Sequence, residues 1–587
     1  MESIKRVLLL FLICYSSIAT LTAQENNSFF LHTIEKGQNL YSISSMYGIN
    51  KADIIRLNPG CEEKIYAGKT LKIPQQVSNK EQTEIFHTIQ PGETLYKLTT
   101  MYKVSAKAIT DENPGLSAEN FKIGQVIRIP EKGAVAIEVL PEVIPQIQPE
   151  VKPKCKEMHK VKRKETIFSV SREYGITEQE LKDANPELNK GMKKGQLLCI
   201  PYPQNKEEKQ QQVITPPTDK ELFKNTKEAA EKIQTIKAAV ILPFLSGSKS
   251  DASKMVEYYE GFLLAVDSLK RQKVSMDIYT YNSGDENSSI APILAKEELK
   301  NMDVIFGPLH QQHIKPLAEF ADANNIRLVI PFSSKDNEVF QNPNIFQINT
   351  PQSYLYSEVY DHFTKQFPNS NVIILGGLAE EKDKVEFIAG LETELKKKNI
   401  LVQTVNGNIS SATLKSFLQT DKVNIFIPTS GSDLALIKLI PQLKLLIREN
   451  PGHKIHLFGY PEWQVYTKDH LESFFELDTY FYSSFYTNNL LPSAINFINN
   501  YHKWYTKEMM NIYPKYGMLG FDTGYYFLSG LAKYGTGFEE NLLKTDIVPI
   551  QTGFKFERVN NWGGFINKKV FFVHFTKDFE PIKLDFE

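Results

Sequence analysis

Beyond its first two dozen residues, the 587-residue sequence has no apolar run of the roughly 20 residues that cross a bilayer. The mature chain is therefore expected to carry no transmembrane segment. It also lacks a long block of one charge: 68 Lys and Arg stand against 69 Asp and Glu, a net charge of −1. Without a basic block to neutralise phosphates, nucleic acid is excluded as a partner, and the lysines at 160–164 read as a solvated strand face. Cysteine is scarce, with four residues and no CxxC or Cys/His cluster, so no metal site is expected. No Gly-x-Ser-x-Gly elbow, His-Glu-x-x-His or phosphate loop with Lys occurs. Scattered carboxylates such as Glu260 and Asp303 show no pairing. The expectation is a non-enzymatic protein with no catalytic residue and no cofactor.

What is present begins with a short positive end at Lys5 and Arg6, an apolar run at 7–14 and small or neutral residues at 19–23. This pattern reads as a secretory signal over 1–23, with an uncleaved anchor as the alternative. It implies an exported protein of the bacterial periplasm or cell envelope. Cys14 leaves with the signal, and Cys61, Cys155 and Cys199 remain, an odd number that cannot all pair internally.

The main signal is internal repetition. His32, His87 and His159 are each followed 26 residues later by Asn-Pro: Asn58-Pro59, Asn113-Pro114 and Asn185-Pro186. A helix-cap residue falls 18 after each histidine (Asn50, Ser105, Thr177), and a turn glycine 36 or 37 after it (Gly68, Gly124, Gly195). Each copy closes on Ile-Pro. The apolar spacing Leu40/Ile43/Tyr47, Leu95/Leu98/Tyr102 and Ile167/Val170/Tyr174 predicts an amphipathic first helix, and Thr177 with Glu180 predicts a capping box on the second. Each copy thus reads as strand, helix, helix, strand. A unit of this size lies near the lower limit for an independent core. The tyrosines read as core rather than sugar platforms, the histidines as strand-start packing rather than metal ligands, and Asn-Pro as a helix stop that a groove could share.

These landmarks resemble the LysM family. The residues that carry the resemblance are Gly37-Gln38-Asn39-Leu40, Gly92-Glu93-Thr94-Leu95, the Asn-Pro pairs and the Ile-Pro endings, over residues 30–74, 85–130 and 158–201. The resemblance implies small α+β (βααβ) units that bind N-acetylglucosamine-containing polymers, here peptidoglycan glycan strands. It places the sugar in a groove between the loop before the first helix and the loop after the second, read by backbone amides. Carried over by position, the groove residues are Gly37, Gln38, Asn39, Leu40, Asn58 and Pro59 in repeat one. In repeat two they are Gly92, Glu93, Thr94, Leu95, Asn113 and Pro114. Repeat three departs from the pattern. Lys164 replaces the loop glycine, and a residue with a Cβ resists positive φ, so a differently shaped loop and a weaker sugar site are expected. Cys199, in the closing strand, should approach Cys155 just before the opening strand. A disulfide and two buried thiols are both open readings.

Residues 131–157 carry a proline every fourth position from Pro141 to Pro153 and read as a semi-rigid spacer. Residues 202–235 read as a second linker, helical near 219–233. Both suggest a chain built to hold its ends apart. From 236 to 587, strands alternate with helices in two series, the pattern of an α/β domain with two doubly wound lobes and a ligand at the strand carboxyl ends. This stretch resembles the type I periplasmic-binding-protein-like superfamily, which includes the leucine-binding proteins, through Glu260-Gly261, 303–308, 331–334, 457–459 and Gly520-Phe521-Asp522. The resemblance suggests Ser333, Ser334 and Asp522 as cleft candidates, with helix capping as the alternative. The loop 307–314 lacks the hydroxyls that amino-acid-binding relatives use, and the His310/His313 pair lacks a third ligand. Three functions compete: a wall-anchored protein whose large domain binds an unknown small molecule or protein, a regulator of a penicillin-binding protein, and a solute-binding protein. A wall hydrolase is disfavoured by the missing motifs.

Overall fold

A computed structural model describes residues 29–586 except 36, 63–64, 76–84, 131–154, 202–215, 227–228, 379–382, 408 and 546. The signal segment and most of both linkers lie outside the described residues. Of the second linker, residues Asp219–Thr226 form a helix.

Each repeat pairs its two strands antiparallel: Phe29–Thr33 with Thr70–Pro74, Ile85–Thr88 with Val126–Ile129, and Glu157–Lys160 with Leu197–Ile200. Two short helices lie between them: Leu40–Met46 and Lys51–Leu57, Leu95–Tyr102 and Ala106–Glu112, Ile167–Glu173 and Glu178–Ala184. The starts are set by local chemistry. Asn39, Thr94 and Thr166 cap the first helices, and Asn50, Ser105 and Thr177 the second, each accepting a backbone N–H that the helix leaves unpaired.

The large domain has two seven-stranded sheets. In lobe one the parallel strands run in the order Met276–Asn282, Ile236–Leu242, Val304–Phe306, Arg327–Ile330, Ile345–Gln347. In lobe two the order is Leu401–Val405, Ser370–Leu375, Val423–Pro428, Lys454–Gly459, Thr479–Ser483. Both are the second-first-third-fourth-fifth order of a doubly wound fold, with a switch point between the first and third strands. The apolar runs such as 238–242 are fully buried because a parallel sheet is covered on both faces. The chain then returns. Phe556–Arg558 and Phe565–Asn567 extend lobe one, while Phe571–Phe575 and Pro581–Asp585 extend lobe two antiparallel. Helices Lys249–Arg271 and Tyr516–Tyr534 cross in backbone contact: a Cβ on Gly261 would collide with the carbonyl of Gly517, and one on Gly520 with that of Tyr258.

The chain packs into two compact units, and the division does not fall where the linkers suggest. Residues 1–135 and 223–587 make one unit, and 136–222 the other. Repeats one and two are not held apart from the large domain; they are docked on it. Phe30, Tyr47 and Phe86 share one apolar cluster with Ile305, Leu328 and Trp562 of lobe one. The Trp562 ring lies 5.2 Å from Phe86 and 5.8 Å from Tyr47, with the Arg128 guanidinium 5.4 Å over it. Polar contacts ring this cluster. Gln341 Nε2 donates to the carbonyls of Ser45 (2.9 Å) and Met46 (2.8 Å), and Arg128 Nη2 donates to Gln341 Oε1 at 2.6 Å. Repeat three, by contrast, has a core made wholly of its own residues, Val161, Val170, Ile176, Leu181, Leu188, Leu198 and Ile200. Units of about 43 residues bury too little to be secure alone, which is the physical reason the first two lean on a lobe.

Candidate glycan site

One three-residue lock recurs in every repeat. His32 Nδ1 bonds the Tyr47 hydroxyl at 2.7 Å, and its Nε2 bonds Gln38 Oε1 at 2.7 Å. His87 holds Tyr102 (2.9 Å) and Glu93 (2.7 Å); His159 holds Tyr174 (3.0 Å) and Glu165 (2.9 Å). The same side-chain oxygen accepts the backbone N–H of Glu35, Gln90 or Lys162 and closes the loop before the first helix into a ring. Burial pulls the Glu93 carboxyl upward, but the Gln90 amide and His87 outweigh it and hold it below the usual range. The Lys162 amide and His159 hold Glu165 low in the same way. Burial pushes the His32 ring down. Gln or Glu six residues after the histidine, and Tyr fifteen after it, are visible as spacing. Tyr47 is core as expected, Tyr102 and Tyr174 are half-buried, and the lock partner six residues on is what sequence reading missed.

The lock fixes backbone shape. Gly37 and Gly92 have φ of 87° and 78°, and Lys164, in the equivalent place, has φ of 76°. The expectation of a differently shaped loop in repeat three is thereby corrected: Glu165 and His159 hold the loop in the left-handed region despite the lysine Cβ. Lys164→Gly is expected to stabilise repeat three by about 1 kcal/mol by removing that strain. A chemical denaturation midpoint on the isolated repeat measures it, and no gain would mean that the lysine bears no strain.

The groove side chains carried over from the LysM resemblance are already engaged. Gln38 and Glu93 belong to the lock. Asn39 Oδ1 and Thr94 Oγ1 accept the N–H of Ser42 (2.9 Å) and Lys97 (3.1 Å) as caps, and Leu40 and Leu95 are buried. Asn58 donates to the carbonyls of Ile54 and Lys72 and accepts the Lys72 N–H; Asn113 and Asn185 do the same in their repeats. Asn-Pro therefore ties the second helix to the closing strand. Several loop amides are engaged as well, Gln38 and Glu93 with the carbonyls of Glu35 and Gln90, and Cys61 and Leu116 with those of Asn58 and Asn113, so the loops present a ligand mainly with backbone carbonyls, with Pro59 and Pro114 beside them.

The loops differ in what covers them. In repeat one, Gly37 lies against lobe two: a Cβ there would stand 3.4 Å from Ser353 O. In repeat two, the first loop is open around Gly92, but the second is docked, since Gly115 N donates to Asn561 O at 2.8 Å and Asn561 Nδ2 to Val126 O at 2.7 Å. In repeat three, Lys164, Thr166, Pro186 and Glu187 are exposed. A disulfide joins Cys155 to Cys199, with Cα atoms 5.1 Å apart; Cys61 is a buried free thiol.

The large domain's candidates separate. Asp522 is corrected from a cleft residue to an interior anchor. It is 1% exposed, and its carboxylate accepts the N–H groups of Ile550, Gln551 and Thr552 at 2.7–2.8 Å. Burial pushes its carboxyl up to about 6 against the pull of those three amides. Ser333 and Ser334 stay half-buried in the loop after Arg327–Ile330, where Ser333 Oγ accepts the Lys335 N–H. At the switch point of lobe two, Lys384 Nζ sits 3.0 Å from Asp383 and 2.5 Å from Glu462, and Trp463 Nε1 donates to Gly431 O. These side chains pair with one another beside the strand carboxyl ends, where such folds take ligands. His313 Nε2 bonds Ser288 O at 2.8 Å. Among the described residues, no group of three potential ligands is arranged for a metal ion, and no helix is long and apolar enough to cross a membrane.

Comparison with known proteins matches residues 32–74, 87–130 and 159–201 to the LysM domain. The chain is 23% identical over 188 residues to the N-acetylmuramoyl-L-alanine amidase sle1 of Staphylococcus epidermidis, covering 32% of this chain and 54% of that protein. It is 30% identical over 105 residues to an autolysin of Enterococcus faecalis, covering 17% of this chain and 14% of that one. A secreted LysM effector, ELP2, of Colletotrichum higginsianum is 26% identical over 114 residues, 17% of this chain and 65% of the effector. The chain thus spans about half or less of the two bacterial wall proteins. Among solved structures, an ABC transporter substrate-binding protein from Desulfitobacterium hafniense in complex with Leu aligns over 60% of this chain and 100% of its own, at 14% identity and a TM-score of 0.35. A branched-chain amino acid ABC transporter periplasmic ligand-binding protein from Burkholderia xenovorans aligns over 60% of this chain and 95% of its own, at 10% identity and a TM-score of 0.39.

Proposed function

We propose, taking the three LysM domains of this chain as the premise, that it is an exported, non-enzymatic protein of the bacterial cell envelope that binds peptidoglycan glycan strands. The observation that carries the reading is the lock. It holds the loop before the first helix in one backbone shape in all three repeats, with the N–H groups of Gln38, Glu93 and Glu165 turned back onto the carbonyls of Glu35, Gln90 and Lys162. That arrangement suits recognition of an N-acetyl group by hydrogen bonds to a backbone of fixed shape. The Cys155–Cys199 bond fits an oxidising compartment outside the cytoplasm. The amidase relatives match only the repeats, so their hydrolytic chemistry is not carried over. Lobe packing favours a partner-binding role for the large domain over free amino-acid capture, because Asp522 is spent on backbone amides and Lys384, beside the switch point, is paired with Glu462. Regulation of a wall-building enzyme is one form such a role would take.

The test is sedimentation of the chain from residue 24 with purified peptidoglycan. Retention is expected at low salt and at moderate salt, since backbone hydrogen bonds are less sensitive to screening than exposed ion pairs. Soluble N-acetylglucosamine oligomers should compete. Protein that stays in the supernatant at low salt overturns the reading. Clearing of a wall-impregnated gel would overturn the non-enzymatic part alone.

A further inference from the structure

Repeat one's groove does not open to solvent alone. It forms one wall of a cavity of about 800 Å³ whose other wall is lobe two. The first wall is the loop Gly37, Gln38 and Asn39 together with Cys61, Glu62 and Tyr66 from the loop after the second helix. The second wall is Ser353, Tyr356 and Tyr360 of helix Gln352–Gln366, and Ala389 and Thr393 of helix Val385–Lys397. Repeat one is fixed in this position by its shared core with lobe one and by the hydrogen bond from Asn337 Nδ2 to the Tyr41 hydroxyl at 2.6 Å.

We infer that repeat one and lobe two together form a single site for a short, uncharged N-acetylhexosamine oligosaccharide. The inference rests on the glycan reading of the repeats and adds the second wall, the length limit and the charge preference. The chemistry of the lining supports it. The Gln38 N–H is taken by Glu35 O and the Asn39 N–H by Ser42 Oγ, so the first wall meets the acetamido N–H through backbone carbonyls of the loop. Tyr66, 52% exposed, and the half-buried Tyr356 present ring faces of the kind sugar rings pack on, and Ser353 and Thr393 add hydroxyls. A volume of about 800 Å³ lies within the range of pockets that enclose a drug-sized ligand, roughly two to three sugar rings. A continuous polymer strand is disfavoured because the backbone at Gly37 lies close against Ser353. Five carboxylates, among them Glu62 and Glu394, stand against two lysines, Lys51 and Lys397, so an anionic muropeptide is repelled and a neutral saccharide accepted. On this reading, repeat one reports free glycan fragments to the large domain, and repeat three holds the polymer.

The experiment is hydrogen exchange of the full mature chain with tri-N-acetylchitotriose, muramyl dipeptide as the anionic comparison. The trisaccharide is expected to protect residues 37–40 and, together with them, the helices at 352–366 and 385–397; the dipeptide is not. Ala389→Trp, which fills the lobe-two wall from a half-buried position on helix Val385–Lys397, is expected to raise at least tenfold the trisaccharide concentration that half-protects residues 37–40. Thr393→Trp serves as a second filling variant if Ala389→Trp shifts the melting midpoint. Protection confined to the repeats and unchanged by both variants overturns the composite site while leaving glycan binding intact. Equal protection by muramyl dipeptide overturns the charge preference. Absence of protection in every repeat overturns the glycan reading itself.

Discussion

Replacing Cys155 and Cys199 together with serine is expected to unfold repeat three. The sequence separation is 44 residues, and the chain-entropy relation for a loop of that length gives about 4 kcal/mol of stabilisation from the cross-link. The seven buried apolar side chains of this repeat form a small core, of the size that supplies no more than about 3–5 kcal/mol in total. Cross-link and core are therefore of equal weight, and removing one leaves little net stability. Repeats one and two have no disulfide among the described residues and share a core with lobe one instead. The repeat whose core is made of its own residues alone is the one with a covalent closure. The measurement is thermal unfolding of residues 155–201, oxidised, reduced and as the double-serine variant. A reduced repeat that melts within about 1 kcal/mol of the oxidised one would show that its core suffices.

Trp562→Ala is expected to cost the larger unit about 3–5 kcal/mol, the range for truncating a fully buried aromatic. The ring is 2% exposed, bridges Tyr47 and Phe86, and carries Arg128 over its face. Its removal opens a cavity at the seam between the repeats and lobe one. Local release of residues 29–130 is therefore expected alongside the global loss. Urea unfolding gives the magnitude, and limited proteolysis of 29–130 shows the release; Trp562→Phe should recover most of both. A loss below about 1 kcal/mol would mean that the repeats are not held to the lobe through this cluster.

The repeats were legible because everything that defines them is local. Caps at Asn50, Ser105 and Thr177, the Asn-Pro stop and the turn glycines act within a window of about one repeat, where short-range hydrogen bonding decides conformation. The α/β alternation of 236–587 was legible for the same kind of reason, since buried parallel strands announce themselves as apolar runs. Lys164 was misjudged because residue preference for positive φ is worth only about 1–2 kcal/mol, and the lock of His159 and Glu165 outweighs it. Asp522 was misjudged because a carboxylate after a glycine looks alike in sequence whether it meets a ligand amine or three backbone N–H groups.

What the sequence by itself determined is therefore the identity of three strand-helix-helix-strand units and of a two-lobed α/β domain. The tertiary structure alone decided which groove faces what. Trp562 and Asn561 reach repeat two across more than 400 residues, as the 435-residue separation of Asn561 from Val126 records. Helix Gln352–Gln366 stands over the first loop of repeat one, while the groove of repeat three keeps its loop residues exposed. Leu40, Ile43 and Tyr47 read as a buried stripe in any arrangement, because burial of an apolar side chain is favourable whichever partner supplies the other side. The hydrophobic effect is non-directional, so the pattern says that this stripe is covered; only the packed fold says by what.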